Sequence, residues 1–199
     1  MVAISIKADF RDVQKRLDRL STNVQSRVIP AALNKVVAKA KTEMARAISS
    51  EFNMKQADVK ERLRVIRAQR SVARWMAVLD PFASRRRGRS LNLIRFIENK
   101  VTLSEGKRRK KSGTANQLRF QIKRAGGKKI ISGAFIANKG RTVFIREGKD
   151  RLPIKALSTI DVPQMFNTRR VNKRVTDRIN AELRIEFDRA IKAALQGVI

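Results

Sequence analysis

Nearly half of a large positive surplus is crowded into one quarter of this chain, and that crowding limits how the chain can fold. Forty-seven Lys and Arg oppose seventeen Asp and Glu over 199 residues, a formal charge of +30. Residues 81–130 hold sixteen basic and two acidic side chains, a net of +14, against +9 for 1–80, +4 for 131–160 and +3 for 161–199. A compact state carrying this charge repels itself unless something anionic neutralises it. So uneven a surplus points to polyphosphate, an acidic partner surface or anionic lipid as the contact.

Composition narrows the chemistry further. About 42% of residues are hydrophobic, enough for a lean core, with nine Phe, one Trp and no Tyr. No apolar run approaches the roughly 18–20 residues that span a bilayer, so no membrane partner is expected. The opening Met1–Lys7 is too short and too soon charged for a secretory signal, which predicts a chain made and used in a cytoplasm. Zero Cys excludes disulfides and thiolate metal sites. Zero His removes the commonest metal ligand and the commonest general base near neutral pH. Glu98, Glu105, Glu147, Asp150 and Asp161 are scattered, with no pairing suited to acid–base work. Gly126-Gly127-Lys128-Lys129 lacks the spacing of a phosphate-cradling loop and reads as a hairpin tip. Neither an enzyme, a metal site nor a cofactor is expected.

Periodicity predicts an α+β chain with its elements segregated. Residues 4–6 suggest a short strand. From an Asp9 cap, Phe10, Val13, Leu17, Leu20 and Val24 trace one helical stripe. Pro30 suits the first turn of a second helix, carried on by Leu33, Val36, Val37, Ala40, Met44, Ala47 and Ile48. A third helix is expected over Gln56–Ile66 with Val59, Leu63 and Ile66 inward. A strand at 72–79 ends at Asp80-Pro81. Residues 83–116 form a basic excursion whose Leu91, Ile94 and Ile97 predict one or two helical turns. Short strands follow at 118–123, 129–131, 134–136, 142–145 and 154–158, with turns at Lys139-Gly140 and Glu147-Gly148. Pro153 marks an edge or a strand start. Pro163 then opens a long helix to about Gln196, with Val171, Val175, Ile179, Leu183, Phe187 and Ile191 at four-residue steps and Gly197 as its stop. The expected body is a single domain over 1–199: a helical N-terminal third, a small mostly antiparallel sheet with the long basic insert 83–116, and a long C-terminal helix packed on the sheet.

The basic runs are the chemistry-bearing features. Arg85, Arg86, Arg87 and Arg89, with Lys107, Arg108, Arg109, Lys110 and Lys111, either contact phosphates, releasing counterions as they bind, or dock an arm on an acidic neighbouring subunit. Neither run has interleaved aromatics, so base stacking is not expected. No helix-turn-helix, zinc finger or RNA-recognition motif supports sequence-specific readout. A free-standing basic nucleic-acid-binding protein without sequence specificity is one reading of these residues.

A second stretch carries a resemblance. Ile131-Ser132-Gly133-Ala134-Phe135-Ile136 precedes Gly140-Arg141-Thr142-Val143-Phe144-Ile145-Arg146, then Gly148-Lys149-Asp150-Arg151-Leu152-Pro153-Ile154 and Val162-Pro163. This order resembles the minor tail protein Z family, the tail completion proteins of long-tailed bacteriophages. Looser similarity includes the Lys60-Glu61-Arg62 helix, the basic insert and the length. The C-terminal helix carries more acid (Glu182, Glu186 and Asp188) than the family leads one to expect. The resemblance implies a non-enzymatic virion structural protein, assembled in the host cytoplasm and acting at the head–tail (neck) junction. Its implied partners are further copies in a hexameric ring, tail terminator, tail tube or neck proteins, and phage DNA at the genome end. Gly133, Ala134, Phe135, Ile136, Gly148, Lys149, Arg151, Pro153, Ile154 and Pro163 are the matching motif positions, expected to serve architecture.

Overall fold

A computed structural model of the chain describes residues 15, 18, 21–69, 77–80, 90–98 and 118–196. The strand expected at 4–6, the Asp9 cap with Phe10, Val13, Leu17 and Leu20, and the Gly197 stop lie outside the described residues. The class is α+β, as the periodicity predicts: long helices toward both ends and small antiparallel sheets between them. The described residues divide into two compact units, one drawn from Met1–Ile48, Gln56–Arg85 and Val162–Ile199, the other from Ser49–Lys55 and Arg86–Asp161.

In the first unit, helix α1 runs over Thr22–Glu51. Pro30 therefore lies inside it rather than in its first turn, and Val24 belongs to the same helix. A mid-helix proline costs about 3 kcal/mol through its missing N–H and its clash with the preceding turn. Burial outweighs that here, because Val28, Ala32, Val36, Ala40, Met44 and Ile48 are all within 5% of full burial. Helix α2 covers Gln56–Glu61 only. Its Val59 is buried, but Ile66 is 43% exposed, because Arg64–Ile66 leaves the helix as strand β1 and pairs antiparallel with β2, Val78–Asp80. β-branched Val65 and Ile66 favour that extended state. Asn34 on α1 holds the chain after β1, donating to the Ala68 carbonyl (3.0 Å) and accepting from its N–H (2.8 Å).

The helix expected to open at Pro163 is two helices. Short α3, Val162–Phe166, buries Pro163 in its first turn. The chain turns extended at Thr168 and restarts as α4, Arg169–Leu195. The stripe of α4 is as spaced in the sequence: Val171, Val175, Leu183 and Phe187 are buried, and Ile179 and Ile191 partly so. Within the first unit it packs against a helix. Val28, Ala32 and Val36 of α1 form one cluster with Leu183, Phe187 and Ala190 of α4. Glu43 pairs with Arg174 while Lys39 pairs with Glu182 and Glu186, so the two helices run antiparallel.

In the second unit, β3 (Leu91–Asn92) pairs with β9 (Ser158–Thr159), β4 (Arg119–Phe120) with β5 (Lys129–Ile130), and β6 (Phe135–Ala137), β7 (Thr142–Arg146) and β8 (Ile154–Ala156) form a three-stranded sheet in that order. A 3₁₀ turn follows β3 at Leu93–Phe96. This changes the inward set from Leu91, Ile94 and Ile97 to Leu91, Leu93 and Phe96. The strand period of two joins Leu91 to Leu93, and the 3₁₀ period of three joins Leu93 to Phe96. Asn92 accepts from the Ile94 and Val143 N–H groups and donates to the Val143 carbonyl, fixing the segment to β7. On its other side, Gln121 N–H donates to Phe96 O and Glu98 N–H to Arg119 O. The stretch 49–55 joins the same unit: Arg124 N–H and Nε donate to Glu51 O and Ser49 O, satisfying carbonyls that the end of α1 leaves open.

Candidate assembly interface

Three of the four stretches that carry the resemblance contribute the three strands of one sheet. Register places Phe135 opposite Phe144 and Phe144 opposite Ala156, with Arg146 opposite Ile154. Directly paired residues share a face, as do residues two apart on one strand. Phe135, Phe144, Arg146, Ile154 and Ala156 therefore share one face. Val143, fully buried, lies on the opposite face, which is the core side. On the first face the Phe135 and Phe144 rings stack with centroids 6.1 Å apart, and the Arg146 guanidinium lies 5.3 Å over the Phe135 ring. Edge strand β8 is exposed along its length.

One end of the sheet is a cationic turn and the other a turn of mixed charge. At one end Asn138 (φ 54°), Lys139 (φ 53°) and Gly140 (φ 79°) turn the chain from β6 into β7. Asn and Gly tolerate this left-handed backbone, and the turn displays Lys139 and Arg141. At the other end Arg146 Nη1 donates to the carbonyls of Asp150 (3.3 Å) and Arg151 (3.0 Å), and Glu147 N–H donates to Pro153 O (3.2 Å). The Leu152–Pro153 bond in this turn is cis. These hydrogen bonds leave Lys149, Arg151 and Leu152 exposed, the last 67% exposed, alongside the exposed acidic Glu147 and Asp150. Lys139, Arg141, Lys149 and Arg151 have no ion pair among the described residues. Residues 118–161 hold eleven basic and three acidic side chains, a net of +8.

Of the expected motif positions, Phe135 and Ile154 meet on this face and Lys149, Arg151 and Pro153 in its end turn. Gly133 (φ 76°) turns the chain before β6, with open space where a side chain would stand. Ala134 is buried and Ile136 half-buried, while Gly148 is exposed. Pro163 lies in α3, in the first unit. Arg85, Arg86, Arg87, Arg89, Lys107, Arg108, Arg109, Lys110 and Lys111 lie outside the described residues. Phe144, Arg146 and Leu152 stand in the stretches that carry the resemblance but are not among the expected site positions. The alternation Thr142-Phe144-Arg146 is the signal that could have found the first two.

The titratable cluster of the first unit has a different character. Glu182 and Glu186 are 5% and 2% exposed. Lys39 Nζ lies 2.6 Å from each, Arg178 2.6 Å from Glu182, and Arg189 2.7 Å from Glu186. Burial pushes the Glu186 carboxyl up, but hydrogen bonds from Lys39 and Arg189 outweigh it and hold the group below its ordinary range. The Glu182 and Glu186 carboxylates raise Lys39 in turn. Both carboxylates are answered by cations, so the cluster ties α1 to α4. It also accounts for acid on a helix of so basic a chain.

No group of His, Cys, Asp and Glu among the described residues could hold a metal ion. No described helix is long and apolar enough to cross a membrane. What the second unit presents is a half-buried aromatic face between two charged turns, a surface suited to contact with another macromolecule. A subunit of a larger assembly is the class this describes. The family model described as prophage minor tail protein Z (GPZ) matches residues 11–199, and the chain belongs to that family. It is a bacteriophage tail structural protein, a virion component that interacts with other parts of the tail. No curated protein and no solved structure matches the chain.

Proposed function

We propose that this chain is a non-enzymatic tail completion protein that forms a ring, hexameric in the simplest case, at the junction of tail and head. Its two basic runs, Arg85–Arg89 and Lys107–Lys111, reach the genome end or the acidic faces of neighbouring ring subunits such as the tail terminator, tail tube or neck proteins. The observation that carries this reading is where the runs are rooted. Residues 90–98, between them, are stitched to β7 and β9 on one side and to Arg119–Gln121 on the other, with Leu91 and Phe96 buried. Both runs are thus joined in sequence to one packed segment within the stretch that carries +14. Six such segments in a ring would converge twelve cationic runs on one axis or one seam, where each salt-sensitive contact adds to the next.

The test is assembly without this chain. Tails made by a phage whose gene for it is disrupted should join heads, if at all, into non-infectious particles, and the purified protein should restore infectivity. Binding to DNA at low salt with no incorporation into particles would replace this reading with that of a free-standing nucleic-acid-binding protein.

A further inference from the structure

We propose that the β6–β7–β8 face carrying Phe135, Phe144, Arg146 and Ile154 is a docking surface for an acidic protein component of the tail, separate from the basic runs. The inference rests on the chain being a tail component and not on its position at the neck.

The anatomy of the face, its apolar centre and its margin point to this occupant. The face has the anatomy of a protein interface: an apolar centre rich in aromatic side chains and Arg, with charge at the margin. The centre joins the stacked Phe135–Phe144 pair to Ile154, 38% exposed, and the edge strand leads on to Leu152, 67% exposed. Its margin is more basic than acidic: Lys139 and Arg141 stand at one end, and at the other Lys149 and Arg151 stand beside Glu147 and Asp150, the four cations having no ion pair among the described residues. Opposite charge on a partner would complete these groups and set its register along the sheet.

A nucleic acid fits the same face less well. Duplex phosphates recur every ~1.7 Å and favour an unbroken cationic track, whereas here the cations stand at two ends of an apolar strip. Nor is Phe135 an open stacking platform, since Phe144 and the Arg146 guanidinium already engage its ring. A second copy would set two chains of charge +30 against each other.

The test uses the full chain and, as probe, tails purified from particles assembled without it. The variants are Leu152→Glu with Ile154→Glu in the centre, and Lys149→Glu with Arg151→Glu at the margin, all exposed positions. Each pair should weaken uptake onto tails by about thirtyfold or more, the scale of an interface hot spot. Affinity for a short mixed-sequence DNA duplex should change far less for the centre pair than uptake does, and thermal unfolding should stay where it is. Uptake of the wild type at another place along the tail, lost in the variants, would support the docking face while sinking the neck placement. Four results would overturn the proposal. Variant uptake equal to wild type removes the site, and loss of DNA affinity with uptake intact makes it a nucleic-acid surface. Loss of self-association with uptake intact makes it a contact between copies. A lowered melting temperature of the centre pair shows that the chain's own residues cover it.

Discussion

Cutting Phe187 to Ala tests the helix pair on which the first unit depends. Phe187 is 2% exposed and sits in the cluster that joins Val28, Ala32 and Val36 of α1 to Leu183 and Ala190 of α4. A buried Phe removes about 150–250 Å² from water, worth roughly 4–6 kcal/mol at about 25 cal/mol per Å² before the part that Ala retains is subtracted. A cavity term then adds back, so the expected loss is about 3–5 kcal/mol. Neighbouring Ile185, 44% exposed on the same helix, is the control and should lose less than about 0.5 kcal/mol on truncation. The assay is denaturant unfolding followed by far-ultraviolet circular dichroism, because α1 and α4 carry most of the described helix. Equal losses for the two variants, or a loss near zero for Phe187→Ala, would show that the stripe is not packed as described.

Other perturbations probe other links. Glu186 is held below its ordinary value of 4.5, so it adds stability above about that pH and loses it as pH falls through its lowered folded-state value. Lys39 is raised above 10.5, so its contribution is complete below that pH and fades as pH rises through the raised value. Stability measured across pH should therefore hold up best between these limits, and Glu186→Gln should flatten the acid limb. An unchanged limb would place the acid sensitivity elsewhere. Asn92→Ala strands the Val143 N–H and C=O, at about 1–3 kcal/mol for each group left unpaired, and should loosen hydrogen exchange in β7. Protection equal to wild type would contradict that clamp. Replacing Arg85–Arg87 and Lys107–Lys111 with Ser should leave folding intact and lower both DNA affinity and its salt slope, by at most about 7 if all eight meet phosphates. An unchanged slope would put the phosphate contacts on other residues.

Local periodicity made much of this fold legible, and long-range partners made the rest opaque. The α4 stripe from Val171 to Phe187 is written in one segment at one period, and it is buried as spaced. Strands β6, β7 and β8 alternate over three to five residues and occur close to where the pattern puts them. Pro30 misled because its local cost is real, and only the buried stripe on either side of it reveals the compensation. Glu182 and Glu186 look solvated in the sequence, since the lysine that neutralises both stands 143 and 147 residues away. The aromatic face needed cross-strand register: Phe135 and Phe144 are ordinary strand residues until β6 and β7 pair with those two opposite each other. The charge of the insert was plain from composition, and so was its separation into two runs. That residues 90–98 between them are packed depends on hydrogen bonds to segments 20 to 70 residues away.

A reconstruction of the assembled virion at the head–tail junction is the most direct trial of this account. It should find this chain in a closed ring at the top of the tail, with Arg85–Arg89 and Lys107–Lys111 against the genome end or the acidic surfaces of adjoining subunits. Finding the chain elsewhere in the particle, or finding those side chains turned toward bulk water with neither DNA nor protein in reach, would contradict it.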